Sequence, residues 1–276
     1  MDRELLLKVS NALDNVRRIN PLIHSITNYV TVNDCANILL AIGASPIMAD
    51  DLKECADITA LSKALVINIG TLNERTIESM IISGKKANEL GIPVIFDPVG
   101  AGASAFRNET TKRIIDEVKI SVIRGNMSEI KFISGLSCET KGVDASENDE
   151  QSDDKEKIKI AKDLAVKLNC SIVITGVKDF ISDGKRCVVL ENGTKLLSKV
   201  TGTGCMTSAL IGAYLGAGND SFISAVSGII SMGICGEVSF DKNETLGTGS
   251  FRVGIIDAIS KLNNEVIINR GKYYEA

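Results

Sequence analysis

ALVINIGTLNERTIESMIISGKKANELGIPVIFD, residues 64–97, holds one full period of an alternating architecture. Ala64 to Ile69 is apolar apart from Asn68, as expected for a parallel strand covered on both faces. Asn73 to Leu90 follows with helical spacing: Ile77, Met80, Ile81 and Ala87 share one side, and Gly91 then Pro93 stop it. Pro93 to Asp97 is the next strand. The same rhythm continues in both directions. Upstream, Leu6, Val9, Leu13 and Val16 mark a first helix ending before Pro21. Leu22 to Ser25 reads as a short strand, and Thr31 as the cap of a helix running to Ile42 and closed by Gly43. Downstream come a helix near 106–118, a strand at 120–124, a helix near 155–168 and a strand at 171–175. Asp183-Gly184 signals a hairpin between 180–182 and 187–190, and helical segments near 204–217, 220–239 and 251–265 close the chain. The expected fold is α/β: three layers, α/β/α, around a mostly parallel central sheet, in one domain over residues 1–276. The charged stretch Glu139 to Lys157 reads as a solvated loop and helix start, since strands of one sheet lie on both sides of it.

Composition narrows the function. Hydrophobic residues make up 44% of the 276, charged residues 24% and aromatics 4%, with no Trp and a net charge of −4. Basic patches with base-stacking platforms are therefore missing, and nucleic acid is not an expected partner. The seven cysteines are odd in number, contain no CxxC pair and lie mostly in apolar or helical segments. They read as reduced cytosolic thiols. Met1 to Glu4 is charged and opens an amphipathic helix, without the look of a secretory leader, so a cytoplasmic location is expected. Val200 to Asn219 is uncharged over a membrane-spanning length, yet it carries five glycines and a loop-like first turn; a core helix is expected there, not a membrane partner.

Ligands of open parallel sheets bind beyond the carboxyl ends of the strands. The polar residues gather at those ends: Asn68 to Thr71, Asp97 to Gly102, Arg124 to Glu129, and Thr175-Gly176. Val200-Thr201-Gly202-Thr203-Gly204-Cys205 adds a glycine turn running into a helix, whose first N–H groups and dipole suit an anion. The thiol of Cys205 sits in that first turn, where the same field favours the thiolate. Two acids, an arginine and an anion hole on one rim suit magnesium and a polyphosphate. Other readings stand beside this one. Asp97 before Pro98 also suits a plain turn, Asn126 to Glu129 a helix cap, and Arg124 a structural ion pair. The single histidine, His24, fits a satisfied core residue better than a base and cannot by itself make a multi-histidine metal site. No G-x-x-x-x-G-K-[ST] occurs, which excludes a Walker-type phosphate loop.

Taken in order, the chain resembles hydroxyethylthiazole kinase, a thiamine-salvage family of the ribokinase-like superfamily. The resemblance runs through PLIHSITNYV (21–30), GASPIMA (43–49), NIGT (68–71), DPVGAG (97–102), IRGNMSEI (123–130), KGVD (141–144), ITG (174–176), VTGTGC (200–205) and GSFRV (249–253). It implies an alcohol phosphotransferase: transfer of the ATP γ-phosphoryl group to the hydroxyl of 4-methyl-5-(2-hydroxyethyl)thiazole. It further implies that Met48 and Gly202 contact the thiazole, that Arg124 and Thr175 contact ATP, and that Asp97 and Glu129 serve Mg2+, directly or through water. Cys205 would position the hydroxyl and take its proton. The family is also expected to form a homotrimer with active sites between subunits, residues near Asn28 lying at that interface. Two departures stand out. The wider superfamily usually has aspartate where this chain has Cys205, and relatives often place proline in the middle of Gly247-Thr248-Gly249. Rival readings are a pyrimidine or sugar kinase, a dehydratase repairing hydrated nicotinamide nucleotides, and a nucleotide sensor; Cys205 argues against the first two classes.

Overall fold

The computed structural model describes residues 3–136, 153–243 and 247–276. The KGVD motif at 141–144, Cys138 and most of the charged stretch from Glu139 therefore lie outside the described residues. In chain order the elements are α1 (Glu4–Ile19), β1 (Leu22–Ile26), α2 (Val32–Ile42), β2 (Ser45–Ile47), α3 (Cys55–Leu61), β3 (Ala64–Asn68), α4 (Glu74–Glu89) and β4 (Val94–Asp97). Then come α5 (Ala105–Glu117), β5 (Val122–Asn126), α6 (Met127–Ser134), α7 (Asp154–Leu168), β6 (Ser171–Thr175), β7 (Asp179–Ser182) and β8 (Cys187–Leu190). A 3-10 turn at Lys195–Lys199 leads to α8 (Thr203–Gly216), α9 (Ser221–Asn243), α10 (Thr248–Lys261), α11 (Asn264–Arg270) and β9 (Tyr273–Glu275).

The sheet order is β2-β1-β3-β4-β5-β6-β7-β8-β9, parallel from β2 to β6 and antiparallel from β6 to β9. Alternation along each strand sends side chains into two cores. Ile23, Val66, Ile95, Val122 and Val173 pack with α1, α2 and α8 to α11. Leu65, Ile67, Phe96, Ile123 and Ile174 pack with α4 to α7 on the other face. This is the three-layer α/β/α fold expected from the sequence. Helix α8 is buried from Met206 to Leu215 with no exposed stripe, which explains its uncharged sequence. The longer α9 is the one described helix long and apolar enough to cross a membrane, but 83% of its apolar window is buried inside the protein, as in a core helix.

Several local expectations need correction. Thr31 occupies the cap position of α2, but its side chain makes no cap; its hydroxyl donates to Asn28 Oδ1 at 3.0 Å. The strand expected at 120–124 runs Val122–Asn126, so Arg124 lies within β5. The segment expected as one helix at 251–265 is two. Asn263 caps the second through a bond from the Val266 N–H, and Arg17 donates to the Leu262 carbonyl at 2.6 Å, drawing the chain out of the first. Strands β2 and β9, both three residues long, are too short to show a period. Thr248 is the first residue of α10, a position where proline is favoured for its fixed φ, so threonine there needs no other change.

Candidate active site

Register brings the strand-end residues level. Asn68 pairs with Asp97 across β3 and β4, and Asn126 with Thr175 across β5 and β6. Parity then sets their direction. Asn68, Asp97, Arg124 and Thr175 each stand two residues beyond Val66, Ile95, Val122 and Val173, so all four face α8. Helix α8 crosses this face with almost no clearance: a Cβ at Gly212 would come within 2.6 Å of Val66 Cγ2. Its start, Gly202, has φ +90°, and a Cβ there would meet Thr31 at 2.7 Å. A Cβ at Gly204 would come within 2.6 Å of the Arg124 guanidinium, so a side chain there would push the arginine from its present position.

Asp97 is fully buried, and its two oxygens are treated unequally. Oδ2 accepts from Ser208 Oγ at 2.7 Å and Asn68 Nδ2 at 2.9 Å, with Arg124 Nη1 at 3.7 Å. Oδ1 is buried without a hydrogen-bond partner. Burial holds the Asp97 carboxyl above its usual range, with Arg124 opposing. Glu129 is placed by a capping box. Asn126 Oδ1 accepts from the Glu129 N–H at 2.9 Å, and Glu129 Oε2 accepts from the Asn126 N–H at 2.7 Å. Its Oε1 accepts from the Gly100 N–H at 2.8 Å. Burial, with the neighbouring Asp97 charge, pushes Glu129 up to about 7. The capping and ion-pair readings of Glu129 and Arg124 are thus both realised, within the same cluster as the acids.

Cys205 joins this cluster through two amides. Its Sγ accepts from Asn28 Nδ2 at 3.2 Å and from Asn68 Nδ2 at 3.4 Å. Since Asn68 Nδ2 also reaches Asp97, one amide group touches both thiol and carboxylate. The helix start does not leave the thiol acidic, as the local argument expected: burial and the Asp97 charge raise its pKa, against the lowering donors. Arg124 Nη2 donates to Thr175 Oγ1 at 2.8 Å, joining the two residues expected to meet ATP.

The structure thus brings together Asp97, Glu129, Arg124, Thr175, Gly202 and Cys205. Met48 stands apart from their hydrogen bonds. It follows edge strand β2, half-buried, on the same core that Cys205 lines. Three contributors went unread in the sequence. In the sequence Asn68 stands only within a motif and Asn28 only as a marker of the expected subunit interface, and Ser208, one turn after Cys205, is a polar residue in an otherwise apolar helix face. Arg107 also braces the rim, donating to the carbonyls of Ile69 at 2.6 Å, Val99 at 2.7 Å and Gly70 at 2.9 Å. Among the described residues no three His, Cys, Asp or Glu side chains gather as a metal-binding group. Two carboxylates, one with a bare oxygen, do suit magnesium, which commonly takes one or two carboxylates and completes its shell with water and phosphate.

Comparison with known proteins gives the family and the fold. The model of the "Hydroxyethylthiazole kinase family" matches residues 13–265. A hydroxyethylthiazole kinase of Clostridium beijerinckii is 70% identical over 275 residues, covering 100% of each chain. The solved structure of the hydroxyethylthiazole kinase protein from Pyrococcus horikoshii OT3 superposes with a TM-score of 0.88 at 37% identity, over 97% of this chain and 98% of that one. A ribokinase-like superfamily protein of Enterococcus faecalis, at 10% identity and a TM-score of 0.63 over 91% and 89% of the two chains, shares the fold alone. The chain belongs to the hydroxyethylthiazole kinase family.

Proposed function

We propose that this protein transfers the γ-phosphoryl group of ATP to the hydroxyl of 4-methyl-5-(2-hydroxyethyl)thiazole, in thiamine salvage, as one cytoplasmic kinase domain. The observation that carries the reading is the Asn68 amide, which touches both Asp97 and Cys205 and so ties the acidic cluster to the thiol. Phosphoryl transfer passes through a loose transition state, so positioning and charge neutralisation do most of the catalysis. Arg124 and Thr175 bind the ATP phosphates. Asp97, through its unpaired Oδ1, and Glu129, directly or by water, would hold a magnesium ion, which would supply positive charge at the phosphates. The free N–H groups that open α8 hold the moving phosphoryl charge. Met48 and Gly202 flank the thiazole.

Cys205 positions the alcohol and takes its proton late in the transfer. Two causes hold the thiol up, burial and the Asp97 charge. Neutralising Asp97 removes the second and leaves the Asn28 and Asn68 donors to favour the thiolate. The active unit is a homotrimer with sites between subunits. Tyr29 and Val30, directly after Asn28, leave 79% and 56% of their surface in water, which is the apolar area a neighbouring subunit would cover.

The test is transfer of labelled phosphate from ATP, with product identification, to the thiazole alcohol, sugars, hydroxymethylpyrimidine and hydrated NADH in parallel. The reading expects the label in the thiazole phosphate; label in a sugar or pyrimidine, or ATP-dependent dehydration, overturns it. Sedimentation of the purified protein reports the trimer separately.

A further inference from the structure

His24, the chain's single histidine, takes no part in the cluster around Asp97. It faces away from the thiol: Ile26, two residues on, packs in the core beneath α4 to α7. The ring is fully buried and bonded at both nitrogens, Nδ1 at 2.9 Å from Thr59 Oγ1 and Nε2 at 2.6 Å from the Ala49 carbonyl. A carbonyl only accepts, so Nε2 carries the hydrogen and donates it to Ala49. Burial lowers the pKa of the imidazole and keeps the ring neutral, so Nδ1 is an acceptor that shares the single Thr59 hydroxyl hydrogen with the Cys55 carbonyl, 2.8 Å from Thr59 Oγ1.

The place of the Ala49 bond is informative. Strand β2 is only three residues long and forms the outer edge of the sheet, and its pairing with β1 ends at the His24–Ile47 pair. Met48 comes next, and Ala49 after it. The backbone is therefore fixed by the strand pairing one residue before Met48 and by the imidazole one residue after it. The Asp50 carbonyl is held in turn by Ser79 Oγ at 2.7 Å and Arg75 Nη1 at 2.9 Å. An ordinary edge strand would leave such a segment loose, because nothing pairs with its outer side.

We propose that His24 is a positioning residue for the acceptor substrate: through the Ala49 carbonyl it sets where Met48 stands in the thiazole pocket. This rests on the reading that Met48 contacts the thiazole. The experiment compares steady-state kinetics of H24Q, H24N, H24L and M48A with the parent. Gln places an amide N–H close to the Nε2 position, whereas Asn reaches the Thr59 side and falls short of Ala49. H24N and H24L should raise KM for the thiazole alcohol about tenfold, because a freed Ala49 carbonyl lets Met48 shift from its place against the substrate. KM for ATP and kcat should stay within about twofold, and H24Q should recover most of the loss. Equal behaviour of H24Q and H24N, an unchanged thiazole KM in H24N, or a parallel rise in KM for ATP overturns the proposal. If M48A leaves the thiazole KM unchanged, the Met48 reading fails and the proposal with it. If M48A raises that KM and H24N does not, only the positioning role fails. Should H24L not fold, the Gln–Asn pair still decides.

Discussion

At the ends of β4 and β5, Glu129 is gripped by two backbone N–H groups and Asp97 by the side chains of strand and helix residues packed in the core. At the start of α8, the Cys205 sulfur is held by side chains: the Asn28 and Asn68 amides and the Thr31 hydroxyl, Asn28 and Thr31 both following β1. Glu129 is thus fixed by backbone, Asp97 and the thiol share the Asn68 side chain, and the thiol has no backbone donor among these bonds. Charge needs fixed geometry because its stabilisation comes from dipoles already in place when the reaction begins. Proton acceptance late in a loose transition state tolerates a softer hold.

That difference orders the expected effects. D97N removes the bare oxygen and should lower thiazole phosphorylation about 10³-fold, with partial recovery at excess magnesium. A magnesium titration on parent and variant checks this, and an unaltered metal response contradicts it. Glu129 supplies the next effect, in stability. Its pKa in the folded protein is about 7 against an ordinary 4.5, so the folded state keeps its proton where the unfolded chain has lost it. Stability from this group is present at acid pH and drains away as pH rises from about 4.5 to about 7, by roughly 3 kcal/mol at most. Urea unfolding of the metal-free protein across that window should show the fall, and E129Q should flatten it.

At the thiol end the effects shrink. C205S should cost about 10²-fold in turnover and shift its pH dependence, while C205D should keep activity. A folded but inactive C205D would remove the proton-accepting role. N68A, which breaks the shared amide, should cost only about tenfold. Thiol alkylation gives a finer reading of the same link. Because the Asp97 charge raises the Cys205 pKa, D97N should alkylate faster than the parent at any pH below the thiol's own.

Much of the carboxylate end was legible in the sequence, and much of the thiol end was not, for a physical reason. Asn68, Asp97, Arg124 and Thr175 obey a period of two from apolar strand residues, so their common face follows from local spacing. Cys205 follows from the glycine turn, but its partners do not. Asn28 lies 177 residues away in sequence, and only the pairing of β1 with β3 carries its loop to the thiol. The helix-start field that favours a thiolate is local too, and burial with the Asp97 charge outweighs it. Thr31 looked like a cap by position, yet its hydroxyl is used by Asn28, part of the same long-range set. The edge strand β2 has too few residues to show alternation, although GASPIMA had marked the segment.

If the Asn68 amide truly makes one unit of the two ends, removing both must cost less than the two losses combined. The direct measurement is turnover with the thiazole alcohol in D97N, C205S and the double variant, each confirmed as folded. The expected result is a double variant no more than about tenfold below D97N alone, since groups sharing a partner couple strongly. Losses that multiply in full would mean that carboxylate and thiol act independently, and would contradict the convergence on which this mechanism stands.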